Sequence, residues 1–300
     1  MSFSHSRVVA FWLLALSGAS RAFAQEAPEA TQSLPSKADK YTNDLGMEFV
    51  RIAPGTFAMG SDRGEDSEKP VHQVTLTKAF FMQATEVTVG QFRTFVADTG
   101  YRTTAEREGG AHVQVDGSWE EKKDAAWDHP YLEQEETHPV VCVSWHDAVA
   151  FADWLSKETG ETFRLPTEAE WEYACRAGST PLLPWGDSVE GDACWYEKNA
   201  AGRTHPVATK RRSAWGLCDM IGNAAEWCAD WYAEGYSSSS AVSDPAGPGE
   251  GTARVVRGGC WGSVAEDLRA SARAGGRPDF RSPLLGFRLV MVRNEKKDGN

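Results

Sequence analysis

The sequence predicts an α+β fold with few helices, short strands and long loops. Three observations carry this: three capped segments with apolar stripes at helical spacing, several short alternating runs that read as strands, and two long stretches with neither period. Hydrophobic residues make up 41% of the 300 residues and Trp numbers 12, the content of a chain that buries a core rather than one that stays disordered. The formal charge of −12 excludes a protein that wraps a polyanion such as DNA or RNA.

In chain order, Arg7, the apolar run Val8 to Leu16 and the small-x-small site Ala22-Phe23-Ala24 read as a secretory signal peptide over residues 1–24. That run is too short for a bilayer-spanning helix, and no other apolar run approaches that length. Cleavage after Ala24 predicts a soluble, acidic protein that is secreted or periplasmic. Residues 25–43 are polar, contain Pro and lack apolar periodicity, so a disordered leader is expected, with the folded domain spanning 44–292 and a polar tail at 293–300.

Phe49–Ile52 and Thr56–Met59 read as two strands around Ala53-Pro54-Gly55, where Pro and Gly supply the dihedrals of a reversal, and Val71–Leu76 alternates likewise. Thr88 caps a helix bearing Phe92, Phe95 and Val96 and ending at Gly100. Ser144 with Asp147 starts a second, bearing Ala148, Phe151 and Leu155 and ending near Gly160. Thr167 with Glu170 forms a capping box for a third, bearing Trp171 and Ala174 and ending near Gly178. Residues 101–139 and 177–254 are long irregular stretches whose backbone polar groups need ligands, disulfides or metals to be satisfied. Gly286–Val292 alternates and closes the domain as a strand.

All six Cys (142, 175, 194, 218, 228 and 260) follow the signal peptide, and an oxidising compartment permits disulfides among them. Fifteen pairings exist and the sequence selects none. No CxxC spacing occurs, which argues against a zinc ribbon or a thioredoxin-type site.

The ordered motifs Pro54-Gly55-Thr56-Phe57-Ala58-Met59-Gly60, Glu86-Val87-Thr88, Pro139 to Trp145 and Arg164-Leu165-Pro166-Thr167-Glu168-Ala169-Glu170-Trp171 begin a pattern. Gly216 to Trp227, Arg257-Gly258-Gly259-Cys260-Trp261 and Gly286-Phe287-Arg288 continue it. Together they resemble the formylglycine-generating enzyme (sulfatase-modifying factor) family over about residues 44–292. The resemblance implies a fold related to C-type lectins, low in regular structure and often stabilised by calcium. It places a structural calcium site at Asp219, Gly222, Ala224 and Glu226, a set of hard oxygens that suits the ion. Asp219 stands where the family has Asn.

The family's copper-binding Cys pair follows its Gly-Gly-Ser-Tyr signature. Here one register puts Ser263 and Leu268 at those positions, and the other puts Cys260 and Ala265 there. Without two thiolates the preferred donors of Cu(I) are missing. Divergent members of the family lack the pair, among them a periplasmic oxidase of siderophore maturation, and others act as ligand-display scaffolds. The resemblance therefore implies a protein that assists oxidative maturation of a secreted peptide or protein and is not a copper-dependent sulfatase activator. The alternative is a non-catalytic lectin-like module that binds a ligand or protein.

The weak catalytic candidates are Cys260, Ser263 and Arg273, with Trp261, Ser263 and Arg273 lining an expected groove. Arg257, Arg269 and Arg273 are the charges available to activate the Cys260 thiol, whose bland fate is burial or a disulfide, with Cys228 one partner. Ser263 has no recognisable His and acid partners for a hydrolytic triad. His72, His112, His129, His138, His146 and His205 are scattered. Two or three of them joined by a carboxylate would make a redox iron or copper site, and otherwise they are hydrogen-bonded loop residues. Trp119, Trp127, Trp185, Trp195, Trp215 and Trp261 either line a ligand groove or fill the core of a loop-rich fold.

Overall fold

A computed structural model describes residues 39–236 and 241–293. The expected signal peptide, residues 25–38 of the leader and all but Arg293 of the tail lie outside the described residues. The elements are β1 (Lys40–Thr42), β2 (Glu48–Ile52), β3 (Gly55–Met59), β4 (His72–Leu76), β5 (Phe80–Gln83), α1 (Val89–Thr99), α2 (Thr104–Glu108), β6 (Ala111–Val115) and β7 (Ser118–Lys122). They continue with α3 (Trp145–Thr159), β8 (Thr162–Arg164), α4 (Glu168–Arg176), β9 (Ala225–Trp231), β10 (Val242–Ser243), β11 (Arg254–Arg257), β12 (Arg273–Gly276), β13 (Leu285–Gly286) and β14 (Val290–Val292). This is the α+β architecture the sequence predicts.

The strands form a five-stranded sheet ordered β1-β2-β5-β14-β8, a three-stranded sheet β10-β4-β3, a four-stranded sheet β12-β11-β9-β13 and the hairpin β6-β7. The two strands expected around Pro54 exist but belong to different sheets, so the reversal is a crossover and not a hairpin. Regular structure starts earlier than the expected boundary at residue 44. Residues 40–42 pair with β2, and Tyr41 packs its ring 6.1 Å from that of Phe49, giving this part of the polar leader an apolar anchor.

All three expected helices form behind capping boxes, with Thr88, Ser144 and Thr167 each accepting the N–H three residues on. The third stops at Arg176, because Ala177 and not Gly178 takes the left-handed cap. Residues 101–139 contain α2 and the β6-β7 hairpin, neither foreseen. The hairpin turns at Asp116 (φ 49°) and Gly117 (φ 80°), the positive pair of a type I′ turn, and Asp-Gly between alternating residues was its sequence signal. Residues 286–292 do not form one strand. They split into β13, which runs parallel to β9, and β14, which pairs with β5 and β8. Everything from Leu285 to Met291 is buried, Arg288 included, so alternation of sequence does not become alternation of exposure.

Two apolar clusters form the core. In one, Phe92, Phe95, Trp127, Phe151 and Phe287 pack ring on ring, and in the other Trp171, Tyr173, Trp215 and Met220 fill the space against β2 to β5. Helix α4 belongs to the second cluster and buries all nine of its residues, charged ones included. Its acids are matched by arginines, two of them local and two from distant segments: Glu170 by Arg164 at 2.6 Å and Glu172 by Arg176 of the same helix at 2.7 Å, then Glu168 by Arg273 at 2.6 Å and Glu172 by Arg257.

Asp230 of β9 accepts the Glu168 N–H at 2.8 Å at the start of that helix. Burial, and then the charge of Glu168, push its carboxyl up to about 7. An acid whose pKa rises on folding adds stability at low pH, and that stability is lost as pH climbs from the unfolded value through 7. Asp230→Asn keeps an acceptor without the ionisation. It is expected to be more stable than the wild type at pH 8, by on the order of 1–3 kcal/mol, with the gap closing toward pH 5. Urea unfolding at both pH values checks this, and a gap that is constant with pH refutes it.

Candidate functional site

Two turns meet at the junction of the clusters. In the first, Gly258 (φ 94°) and Gly259 (φ 68°) bring the chain off β11 in the left-handed region that favours glycine. At Gly259 side-chain space is also closed, since a Cβ there would lie 2.6 Å from Leu268 Cδ2 and 3.1 Å from Ser263 Oγ. Leu268 and Ser263 therefore face each other across this glycine. The turn closes through Ser263 N–H to the Cys260 carbonyl at 3.0 Å and Cys260 N–H to Ser263 Oγ at 3.0 Å, which leaves the Cys260 sulfur 3.6 Å from the same hydroxyl.

Burial pushes the Cys260 thiol up, against the hydrogen bond from Ser263. The three arginines considered as activators are spent elsewhere: Arg257 on Glu172, Arg269 on Glu68 at 2.5 Å and Arg273 on Glu168. This corrects the expected groove. Cys260, Trp261 and Ser263 share a turn, but Arg273 is buried in its own pair with Glu168, donates to the Ser67 and Ala233 carbonyls and lies over Tyr232 and Tyr236. Trp261 is buried too, its indole N–H on the Pro283 carbonyl at 2.9 Å. All six thiols are free and buried, so the considered Cys260–Cys228 disulfide is not formed.

The second turn, residues 219–226, leads into β9. Trp261 N–H donates to the Asn223 carbonyl and Gly222 N–H to the Gly258 carbonyl, both at 2.9 Å, which locks the two turns together. Gly222 (φ 82°) has no room for a side chain, as a Cβ would sit 2.2 Å from the Trp195 carbonyl oxygen. Asp219 Oδ2 accepts the Ala208 N–H at 2.7 Å, while its Oδ1 is buried without a partner. Glu226 has both oxygens engaged, by Arg288 Nη2 and Nε at 2.7 Å and by Trp171 Nε1 at 2.8 Å.

A third carboxyl, missed from the sequence, completes this cluster. Glu86 Oε1 accepts from Asn223 Nδ2 at 3.0 Å, and its Oε2 is buried without a partner. Burial and then the charge of Asp219 push Glu86 far above the ordinary carboxylate range, and burial lifts Asp219 to about 6. Its sequence signal was the Glu86-Val87-Thr88 motif, which by itself says nothing of a role. Beside Asp219, a cavity of about 110 Å³ is lined by Trp185, Arg211, Arg212, Leu217 and Met220.

The family model described as a sulfatase-modifying factor enzyme 1-like domain matches residues 32–293. This chain belongs to that family. It is 39% identical over 283 residues to the formylglycine-generating enzyme of Streptomyces coelicolor, covering 80% of this chain and 88% of that one. The Bos taurus formylglycine-generating enzyme is 35% identical, with 81% and 74% covered. Among solved structures, PvdO from Pseudomonas aeruginosa superposes with a TM-score of 0.73 at 28% identity, covering 84% of this chain and 97% of that one. Treponema denticola variable protein 1 follows at 0.67 and 27%, with 85% and 98% covered.

The calcium site that this family implies fits in part. Asp219 offers a free buried oxygen, and Gly222 and Ala224 lie in the same turn, but Glu226 is already committed to Arg288. The alternative of a redox cluster of histidines is not assembled among the described residues, and the histidines take hydrogen-bonded and stacked places instead. Among the described residues no three His, Cys, Asp or Glu side chains come together to hold a metal ion. His72 bonds the Pro70 carbonyl at 3.0 Å, His112 stacks on Trp119, and His129 lies 3.9 Å from Asp124. His146 meets Trp145 edge-on, and burial pushes both His138 and His205 down. Of the tryptophans weighed for a groove, Trp127, Trp215 and Trp261 are core. Trp195 is sandwiched at 3.7 Å between the His205 ring and Lys210 Nζ.

Proposed function

We propose that this chain is a formylglycine-generating-enzyme-like protein that acts outside the cytoplasm and assists the oxidative maturation of a secreted peptide or protein, and that it is not a copper-dependent sulfatase activator. The observation that supports this most is the facing pair at Gly259. In the register counted from Gly258-Gly259, the two positions for copper thiolates are Ser263 and Leu268, and those side chains converge over that glycine as a hydroxyl and an alkyl group. Neither is a donor for Cu(I). The nearby sulfur is Cys260, which with Ser263 and Trp261 forms the centre of the reading. A thiol is already reduced and accepts no electrons, so the electrons of an oxidised substrate would pass to dioxygen, through a redox metal, iron or copper, or with Cys260 as the residue that holds the substrate. A structural calcium ion at Asp219 and the 222–224 turn would pin the long loop before β9. Among the described residues no helix is long and apolar enough to cross a membrane.

A second reading, a binding module without chemistry, is favoured by one observation: the Cys260 thiol is pushed up and carries no cationic partner, the opposite of an activated nucleophile.

Mass spectrometry of the secreted peptides and proteins from cells with and without this chain separates the two. Oxidative maturation predicts a product that loses two hydrogens or gains oxygen only when the chain is present. Cys260→Ala abolishes this change if the thiol holds the substrate and leaves it intact if a metal alone carries the chemistry. No mass change in any product, with ligand retained on the purified protein, selects the binding module. Formylglycine formed in a Cys-x-Pro-x-Arg peptide by the copper-treated protein would overturn the proposal.

A further inference from the structure

Four glycines stand in the two locked turns, and three of them are compelled. Gly222, Gly258 and Gly259 hold positive φ, and a Cβ at each would lie 2.2, 3.0 and 2.6 Å from a packed neighbour. Gly262 is under neither constraint. Its φ lies outside the left-handed region, and a Cβ there would meet Leu284 Cδ2 at 3.5 Å and Cys260 Sγ at 4.0 Å, both ordinary contacts, with nothing else within 4 Å. Neither dihedral nor packing requires this residue to lack a side chain, which leaves the close approach of a ligand to the backbone as the use of glycine here.

The missing side chain leaves space in front of a sulfur. Cys260 is 7% exposed, whereas the other five thiols are 0–1% exposed. The backbone of Gly262 abuts that sulfur: burial pushes the thiol up, and hydrogen bonds from the Ser263 side chain and from the Gly262 and Ser263 N–H groups oppose it. The half-buried Leu284 walls the space, and Val264, an exposed hydrophobic residue, follows two positions after Gly262. Leu284 is fixed from both sides, since its carbonyl accepts the Ala225 N–H at 2.8 Å and the Pro283 carbonyl holds the Trp261 indole at 2.9 Å, so the space is preformed.

We propose that Gly262 is the specificity-determining residue of this site: its bare Cα keeps open a slot, walled by Leu284, through which one small apolar side chain of the secreted peptide or protein reaches the Cys260 sulfur. This rests on the function proposed above and names what that site admits. The sulfur is a protonated thiol, a small polarisable surface that packs against an apolar group without forming a bond to it. The slot therefore discriminates by size. A methyl at position 262 narrows it, and a branched side chain there closes it.

The test is labelling of the six thiols of the native chain with methyl methanethiosulfonate, mapped by peptide mass spectrometry, in the wild type, Gly262→Ala, Gly262→Val and Leu284→Ala. Wild-type Cys260 is expected to label ahead of the other five. Gly262→Ala should slow it severalfold, Gly262→Val at least about tenfold, and Leu284→Ala should speed it. Gly262→Ala is expected to melt at or slightly above the wild type, because the position accepts a methyl without strain and the unfolded chain loses freedom. A damaged fold would instead speed all six thiols together. Cys260 labelling no faster than the buried five, or at the wild-type rate in Gly262→Val, overturns the slot. The maturation product described above should fall in Gly262→Ala and vanish in Gly262→Val, and a product unchanged in Gly262→Val overturns the use of the slot by the substrate. A wild type that forms no product overturns the function proposed above, and the labelling still decides the slot.

Discussion

Replacing Glu172 with Ala is expected to lower stability by roughly 3–5 kcal/mol, the cost of stranding buried charge. Glu172 is fully buried. It accepts from the Gly60 N–H at 2.9 Å, from Arg176 Nε and Nη2 at 2.9 and 2.7 Å, and from Arg257. Without it, Arg257 keeps the Ser271 and Ala272 carbonyls, both at 2.6 Å, but loses its closest counter-charge inside a region that water does not reach. Burial opposes the charge, and the ion pairs with Arg176 and Arg257 outweigh it and hold the carboxylate below its ordinary range. For a domain of this size the loss corresponds to a fall in melting temperature of roughly 6–20 °C. Glu172→Gln should lie between the two, since it keeps an acceptor but not the charge. Differential scanning fluorimetry and urea titration provide the check, and an alanine variant within about 1 kcal/mol of wild type would mean that solvent enters the network.

The second large effect is expected at Arg288. Arg288→Met removes the one fully buried cation that faces Glu226, Glu86 and Asp219, and leaves the Gln83 and Cys218 carbonyls without their donors. A loss of roughly 3–5 kcal/mol is expected at neutral pH. The sign of its pH dependence follows from the acids. With the cation gone the pKa values of Glu86 and Asp219 rise further on folding, so their neutral forms fold readily at low pH and stability drains away as pH rises through them. The variant should therefore sit nearer the wild type at pH 5 than at pH 8. A deficit equal at both would mean that the lost packing of the arginine stem, not its charge, is what matters. Arg288→Lys should not rescue fully, because an ammonium cannot reproduce the two-pronged contact with Glu226.

Much of this protein was legible in its sequence, and the reason is locality. Thr88, Ser144 and Thr167 close their helices through hydrogen bonds spanning three residues, so the signal and the structure it specifies occupy the same few positions. The short strands β2, β3 and β4 announce themselves by side-chain pattern, and the ordered Gly, Trp and Arg motifs specify a family whose fold the superposition with PvdO reproduces. Tertiary structure alone decided which groups meet. Nothing near Arg288 or Glu226 in the chain says that they pair across 62 residues, and Arg269 reaches Glu68 across 201. The same blindness misplaced Arg273, which lies close to Cys260 in sequence but turns into the pair with Glu168, and it hid Glu86, which reaches the candidate cation turn through Asn223 across 137 residues. Caps and strand patterns are satisfied by neighbours along the chain, whereas a buried charge takes whichever counter-charge the packing of distant segments brings within 3 Å. The sequence by itself therefore determined the three capped helices, the strands β2 to β4 and the family, and only the folded chain decided the remaining elements and which buried charges meet.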